Sequence, residues 1–142
     1  MIRLKFLEDC TPRYMTAASA ACDLIARETV VVKAGEVAKI PTGVWISHVE
    51  WEKVPANHIP ELQVRARSGL AFKHGLTLAN GVGTIDADYP DEIAVLLLNT
   101  SRQDFTVEKG MRTAQLLQSL VMRIDDIPVG GERTGGFGST KV

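Results

Sequence analysis

The chain has 142 residues, 45% of them hydrophobic and 23% charged, with a formal net charge of −1. That length gives a single domain with one core, and the composition is that of an ordinary globular protein. No basic excess argues for duplex DNA or RNA as a direct partner, since such binders set many cations against phosphates, so the ligand should be small or the basic residues focused in one site.

Ile2, Leu4 and Phe6 alternate with Arg3 and Lys5, which predicts a half-buried strand. The same stretch, Met1 to Cys10, carries alternating charges and is no signal peptide, and no run in the chain approaches transmembrane length, so no membrane contact is expected. Cys10 and Cys22 have no metal-ligand spacing. Both read as reduced thiols of a reducing compartment, cytoplasmic or nuclear, with Cys22 a small buried hydrophobe in an apolar run. Thr29–Val32 is strongly β-prone, Ala34-Gly35-Glu36 is a turn, and Val37–Ile40 restarts the extended chain before Pro41. Gly43–Val49 alternates again. Leu62–Ala66 and Glu92–Leu98 read as further strands, the second buried on both faces, and Gln103–Val107 as an edge strand ahead of the Glu108-Lys109-Gly110 turn. Short strands at this spacing predict an all-β sandwich or barrel.

Two segments break the pattern. Ser68–Phe72 predicts one helical turn with Ser68 as its N-cap. In 113–124, Ala114, Leu117, Val121 and Ile124 fall at helical spacing, so periodicity alone gives a helix. The tail, residues 128–142, holds five glycines in fifteen residues. It predicts a mobile arm that orders only against another surface, after a barrel domain spanning 1–127.

Five short stretches carry the chemistry: Ala21-Cys-Asp-Leu24, Arg67-Ser-Gly-Leu-Ala71, Gly81-Val-Gly-Thr-Ile-Asp-Ala-Asp-Tyr89, Arg112-Thr-Ala-Gln-Leu116 and Arg133-Thr-Gly-Gly-Phe-Gly-Ser-Thr140. Each alone has a bland reading. Asp86 and Asp88, two apart on an extended chain, would share one face and repel, which suits either a general base or ordinary turn aspartates. Arg67 offers a rigid fork for phosphate oxygens and Ser68 a helix start that aims N–H groups at an anion, or the pair is a surface Arg and a cap. Gly69 lets backbone approach closely. Gln115 in an apolar run needs a hydrogen-bond partner. Tyr89 reads as a core-edge aromatic with a wet hydroxyl. Asp23 reads as a turn cap, and Phe137, alone among glycines, as an anchor for the tail.

Together and in this order, over roughly residues 18 to 140, the five resemble the motifs of the trimeric dUTP pyrophosphatases, the dUTPase family. The resemblance implies a jelly-roll-like barrel, a homotrimer with shared sites, Mg²⁺ as cofactor, and hydrolysis of dUTP to dUMP and pyrophosphate. It places the uracil and deoxyribose against a hairpin at Asn80, Gly81, Val82, Gly83, Thr84, Ile85 and Asp86, with Asn80 and backbone reading the base edge and Tyr89 packing under the sugar. It makes Asp86 the acid that orients or deprotonates the attacking water, puts Gln115 at the α-phosphate, and sets Ser68, with Arg67 and Gly69, near the leaving group. Asp23 meets the metal-bound triphosphate through water, the metal keeping its waters and preferring phosphates to a protein cage. Phe137 covers the uracil ring, Arg133, Ser139 and Thr140 grip the outer phosphates, and Gly136 and Gly138 supply backbone donors. One subunit supplies the phosphate set, a second the hairpin, and the third its arm. Asp88 is left to orient neighbouring groups or a subunit contact.

Departures from the family pattern are confined to the long segment between His48 and His58, Pro90-Asp91 after the motif tyrosine, Met111 before Arg112, and Cys22 where an aromatic is usual. None removes a catalytic group. A protein partner bound through 48–58 or the arm is an alternative use of those segments. Two other functions fit the same motifs less closely: a dCTP deaminase, which resembles this fold, and a dUTP-sensing binding protein.

Overall fold

Residues 113–124, ambiguous by periodicity, resolve into strand: the computed structural model, which describes residues 1–133 and 135–137, has β11 at Arg112–Met122. The helical stripe fails because the buried residues are Thr113, Ala114 and Leu116, while Val121 is 38% and Ile124 79% exposed. Pairing on both sides explains this. β11 runs antiparallel to β2 (Cys22–Ile25) on one edge and to β6 (His58–Ala66) on the other, and cross-strand pairing overrides a local helical pattern. β8 (Gly83–Ile85) extends this sheet beyond β6 and forms its outer edge, giving the order β2-β11-β6-β8.

A second sheet has the order β4-β9-β7, from Val37–Pro41, Ala94–Asn99 and Leu76–Leu78. Two ladders complete the molecule: β1 (Ile2–Phe6) with β5 (Val44–Val49), and β3 (Val30–Val32) with β10 (Phe105–Val107). All named pairs are antiparallel and most neighbours are distant in sequence, an all-β jelly-roll-like arrangement. Leu24, Val32, Ile40, Val44, Val95, Leu97, Val107 and Leu116 fill the core, each at most 2% exposed. Cys10 and Cys22 are both free and buried, and burial pushes both thiols up, so neither is a reactive thiolate. Among the described residues no helix is long and apolar enough to cross a membrane.

The predicted strands hold with shifted ends: β6 begins four residues earlier than predicted, at His58, while β3, β5 and β10 are trimmed. β9 starts at Ala94 rather than Glu92 because the Ile93 N–H leaves the β4 ladder and donates to the Val44 carbonyl of β5 at 2.8 Å. The helical turn is longer than predicted: α1 spans Ser68–His74 and ends on Gly75 in the left-handed region at φ 65°. Ser68 is its first helical residue and not its cap. Arg67 holds the N-cap position, without a side-chain capping bond. The 48–58 segment turns through a short 3₁₀ helix at Trp51–Lys53, fixed by Glu50, which pairs with Arg3 and Lys53 at 2.9 Å each.

Candidate active site

β2, β11 and β6 lie in register so that Asp23 faces Gln115 and Gln115 faces Arg65, a row of three polar residues across three strands. A bulge between Arg112 and Ala114 shifts the register against β2. In a regular strand Arg112 and Gln115, three apart, would point to opposite faces; the extra residue turns both to one side. They open with Asp23, Arg65, Arg67, Ser68 and Gly69 onto a cavity of about 350 Å³. Asp23 is 5% exposed and accepts a 2.8 Å bond from Arg112 Nη1, with Arg67 Nε at 4.0 Å. Arg67 also donates to the Arg112 carbonyl at 3.0 Å. Among the described residues, three guanidiniums, an amide and the hydroxyls of Ser19 and Ser68 around a single carboxylate make a cavity that suits a polyanion.

The segment of Asn80–Tyr89 is not a hairpin. β7 pairs with β9 and β8 with β6, so the intervening turn crosses from one sheet to the other. The crossing needs Gly81 at φ 71°. At Gly83 a side chain would meet Val64 Cβ at 3.1 Å, so glycine lets β8 pack closely on β6. As an edge strand, β8 keeps half of its backbone N–H and C=O groups unpaired toward a pocket of about 180 Å³ bordered by Asn80, Gly83, Thr84, Ile85, Tyr89 and Phe137. Gly81 and Val82 are exposed on the turn and do not line it.

Asp86 and Asp88 do not lie on an extended strand as predicted. The Tyr89 N–H donates to the Asp86 carbonyl at 3.1 Å, closing a turn. Both carboxylates nevertheless converge on one cation: Arg133 Nη1 bonds Asp86 and stands 3.6 Å from Asp88. The Tyr89 hydroxyl is not wet either; it donates to the Glu92 carbonyl at 3.2 Å, and the residue is 5% exposed. Burial, then the Asp91 charge, raises the Tyr89 phenol, which keeps it a donor.

The arm meets this pocket on its own chain. Phe137 sets its ring edge against Tyr89 with centroids 6.4 Å apart and planes at 84°, and Arg133 lies 5.4 Å from the Tyr89 centroid. A Cβ on Gly136 would stand 2.3 Å from Tyr89 Cε2, so the backbone lies flat on the ring. Lys39, from β4, stands 4.4 Å over the Phe137 ring, a contact unnoticed in the sequence because Lys39 sits in no motif. The expectations at Gly138, Ser139 and Thr140 fall outside the described residues. Gln115, Arg67, Ser68, Gly69 and Asp23 thus gather at one place, and Asn80, Thr84, Ile85, Tyr89, Arg133 and Phe137 at another. The two cavities share no described residue.

Among the described residues no three His, Cys, Asp or Glu side chains cluster to hold a metal ion. Among the described residues Asp23 is the one carboxylate lining the basic cavity, and Arg112 and Arg67 already balance it. The described residues build no cage for a cation; they fit a hydrated one that arrives on phosphate oxygens.

A family model described as dUTPase matches residues 8–141. The chain is 46% identical to the deoxyuridine 5'-triphosphate nucleotidohydrolase of Rickettsia akari (strain Hartford), over 99% of this chain and 97% of that protein. It is 44% identical to the protein of the same name from Rickettsia felis, again over 99% and 97%. Among solved structures, the dUTPase from Streptococcus mutans matches with a TM-score of 0.74 at 28% identity, covering 86% of this chain and 98% of that one. A mutant dUTPase from phage phi11 of S. aureus, described as coordinating a structural Mg(II) ion, has the same fold, with a TM-score of 0.71 at 20% identity over 94% of this chain and 99% of that one.

Proposed function

We propose a residue-level mechanism from the premise that this chain belongs to the dUTPase family and hydrolyses dUTP. Water attacks the α-phosphorus, its oxygen joins dUMP, and the bond to the bridging oxygen breaks to release pyrophosphate. Asp86 takes the proton of that water. The Gln115 amide donates to the non-bridging oxygens of the α-phosphate. Arg67 and the Ser68 hydroxyl, with the first N–H groups of α1, receive the charge that develops on the departing pyrophosphate. Positioning and electrostatic stabilisation supply most of the acceleration, since a phosphoryl group in flight needs little covalent help.

The free edge of β8 reads uracil. Backbone N–H and C=O groups with the Asn80 amide match its acceptor–donor–acceptor edge, whereas cytosine would leave a buried polar group unpaired. Tyr89 lies flat under the deoxyribose and leaves no room for a 2′-hydroxyl. The arm closes the site, with Phe137 on the base and Arg133 on phosphate, and excludes water. Mg²⁺ bound on the triphosphate would supply charge neutralisation, and Asp23 is the residue that would hold it through water.

The single observation that carries this reading is the partition of the motif residues between a basic cavity and a separate edge-strand pocket, with Asp86 in a groove that adjoins the second through Thr84 and Arg133. In this reading one nucleotide draws the two sets from different copies of the chain, a homotrimer with each site shared among subunits. The arm then presents to a neighbour's Tyr89 the groups it presents here to its own. Pyrophosphate release measured in parallel on dUTP, dCTP, dTTP and UTP, with and without Mg²⁺, tests the assignment. Release from dUTP alone and dependent on Mg²⁺ is expected; equal rates on dUTP and UTP would remove the role of Tyr89, and ammonia from dCTP would favour deamination.

A further inference from the structure

Arg65 belongs to none of the five motif assignments, yet it stands at the end of the Asp23–Gln115–Arg65 row and opens onto the same basic cavity. Its charge differs from that of its neighbours. Arg112 and Arg67 are both set against Asp23, at 2.8 and 4.0 Å. Arg65 instead donates through Nε at 3.2 Å and Nη2 at 2.7 Å to one neutral acceptor, Oε1 of Gln63. It makes no ion pair among the described residues. The acceptor is itself held: Gln63 Nε2 donates to Glu61 Oε1 at 2.6 Å, and Ser119 Oγ donates to the same oxygen at 2.8 Å. Glu61 is 9% exposed and Arg65 is exposed, so the anchored end lies inside and the cation at the surface of the cavity.

The spacing explains how the sequence builds this. Glu61, Gln63 and Arg65 are successive alternate residues of β6 and lie on one face. The carboxylate at one end fixes which side of the Gln63 amide donates; the amide oxygen must then face Arg65. The guanidinium is aimed without being neutralised. A fork that is fixed in place and electrically unbalanced, beside Gln115, suits phosphate oxygens.

We propose that Arg65 is a triphosphate-recognition residue of this site and that Gln63 and Glu61 are its positioning residues. The inference rests on the dUTPase reading for the identity of the anion.

Steady-state kinetics on the full-length protein test it. Arg65→Gln should raise KM for dUTP about 10- to 100-fold, the loss of a charge-assisted bond. Inhibition by deoxyuridine, which has no phosphate, should stay at the wild-type level. Arg65→Lys, which keeps charge but loses the fork, should fall between. Gln63→Leu should raise KM by less than Arg65→Gln does, and the double variant should be no worse than Arg65→Gln, because both changes act through one guanidinium. A wild-type KM for Arg65→Gln, an equal weakening of deoxyuridine, or additive losses in the double variant would each overturn the proposal. If the wild-type chain releases no pyrophosphate from dUTP, the dUTPase reading fails separately. Calorimetric titration with inorganic tripolyphosphate then decides for Arg65: weaker binding by Arg65→Gln supports it, and equal binding overturns it.

Discussion

Arg133 closes on Asp86. The guanidinium of the arm bonds the carboxylate of the candidate general base and also reaches Asp88 at 3.6 Å. In the proposed reaction the same guanidinium serves phosphate, so substrate must take Arg133 from Asp86 and leave the carboxylate for water. Asp86→Asn should therefore lower kcat by about 10²–10⁴, the usual worth of a positioned base. KM for dUTP should not rise, because the amide competes less well for Arg133 than a carboxylate does. Turnover at the wild-type rate would remove Asp86 from the mechanism.

The arm depends on a flat contact with Tyr89. A methyl group on Gly136 would lie 2.3 Å from the ring, so Gly136→Ala should push the arm off the pocket. Phe137→Ala removes the edge-to-face partner of the same ring. Both variants should lose roughly tenfold or more in kcat/KM, as expected for an aromatic contact and the burial that accompanies it. Their Tm should match wild type, since the arm contributes nothing to the core. Gly130→Ala is the control: an added Cβ there meets nothing within 4 Å, and activity should be unchanged. A Gly136→Ala enzyme with full activity would show that the Tyr89 contact is not used in turnover.

Asp23 balances two arginines from inside the sheet. Its side chain is 6% exposed, whereas that of Arg112 is 44% exposed. The two single variants should differ for that reason. Arg112→Ala leaves a buried carboxylate short of its best partner and should cost about 1–3 kcal/mol of stability, read as a lower midpoint in urea. Asp23→Asn keeps the shape and frees two guanidiniums that reach solvent through the cavity. It should lose less stability and show its effect chiefly as a raised KM for dUTP. Equal destabilisation by both would mean that Asp23 acts only as a structural ion-pair partner.

Much of this was legible in the residues, and what was not has definite causes. The half-buried strands at β1 and β5 read correctly because alternation reports burial directly. β11 could not be read that way: its outer half is exposed on both faces, so alternation survives only at Ala114 and Leu116, and a chance helical stripe fills the rest. The bulge that turns Arg112 and Gln115 to one side depends on the register against β2, which no local pattern encodes. Reading the turn before β8 as a hairpin failed because the residues of Leu76–Leu78 and Gly83–Ile85 give no sign that they belong to different sheets. Arg65 was missed because its neighbours in the row, Gln115 and Asp23, come from strands 50 and 42 positions away in sequence; an i, i+2, i+4 run of Glu61, Gln63 and Arg65 on a predicted strand was the available signal.

The disjoint cavities yield the test that separates a shared site from a self-sufficient chain. Arg67 lines the basic cavity, and Asp86 lines a groove with Glu61, Thr84 and Arg133 that shares no described residue with it. If one nucleotide bridges copies, Arg67→Gln and Asp86→Asn damage different subunits' contributions to each site. Each variant alone should be nearly inactive. Unfolded together in equal amounts and refolded, they should recover about one quarter of wild-type activity, because in a cyclic assembly a site works when one subunit brings an intact Asp86 and its neighbour an intact Arg67, each with even odds. Refolding either variant alone under the same conditions should recover none. A chain that holds its whole site would give no recovery in the mixture, since every copy carries one of the two defects.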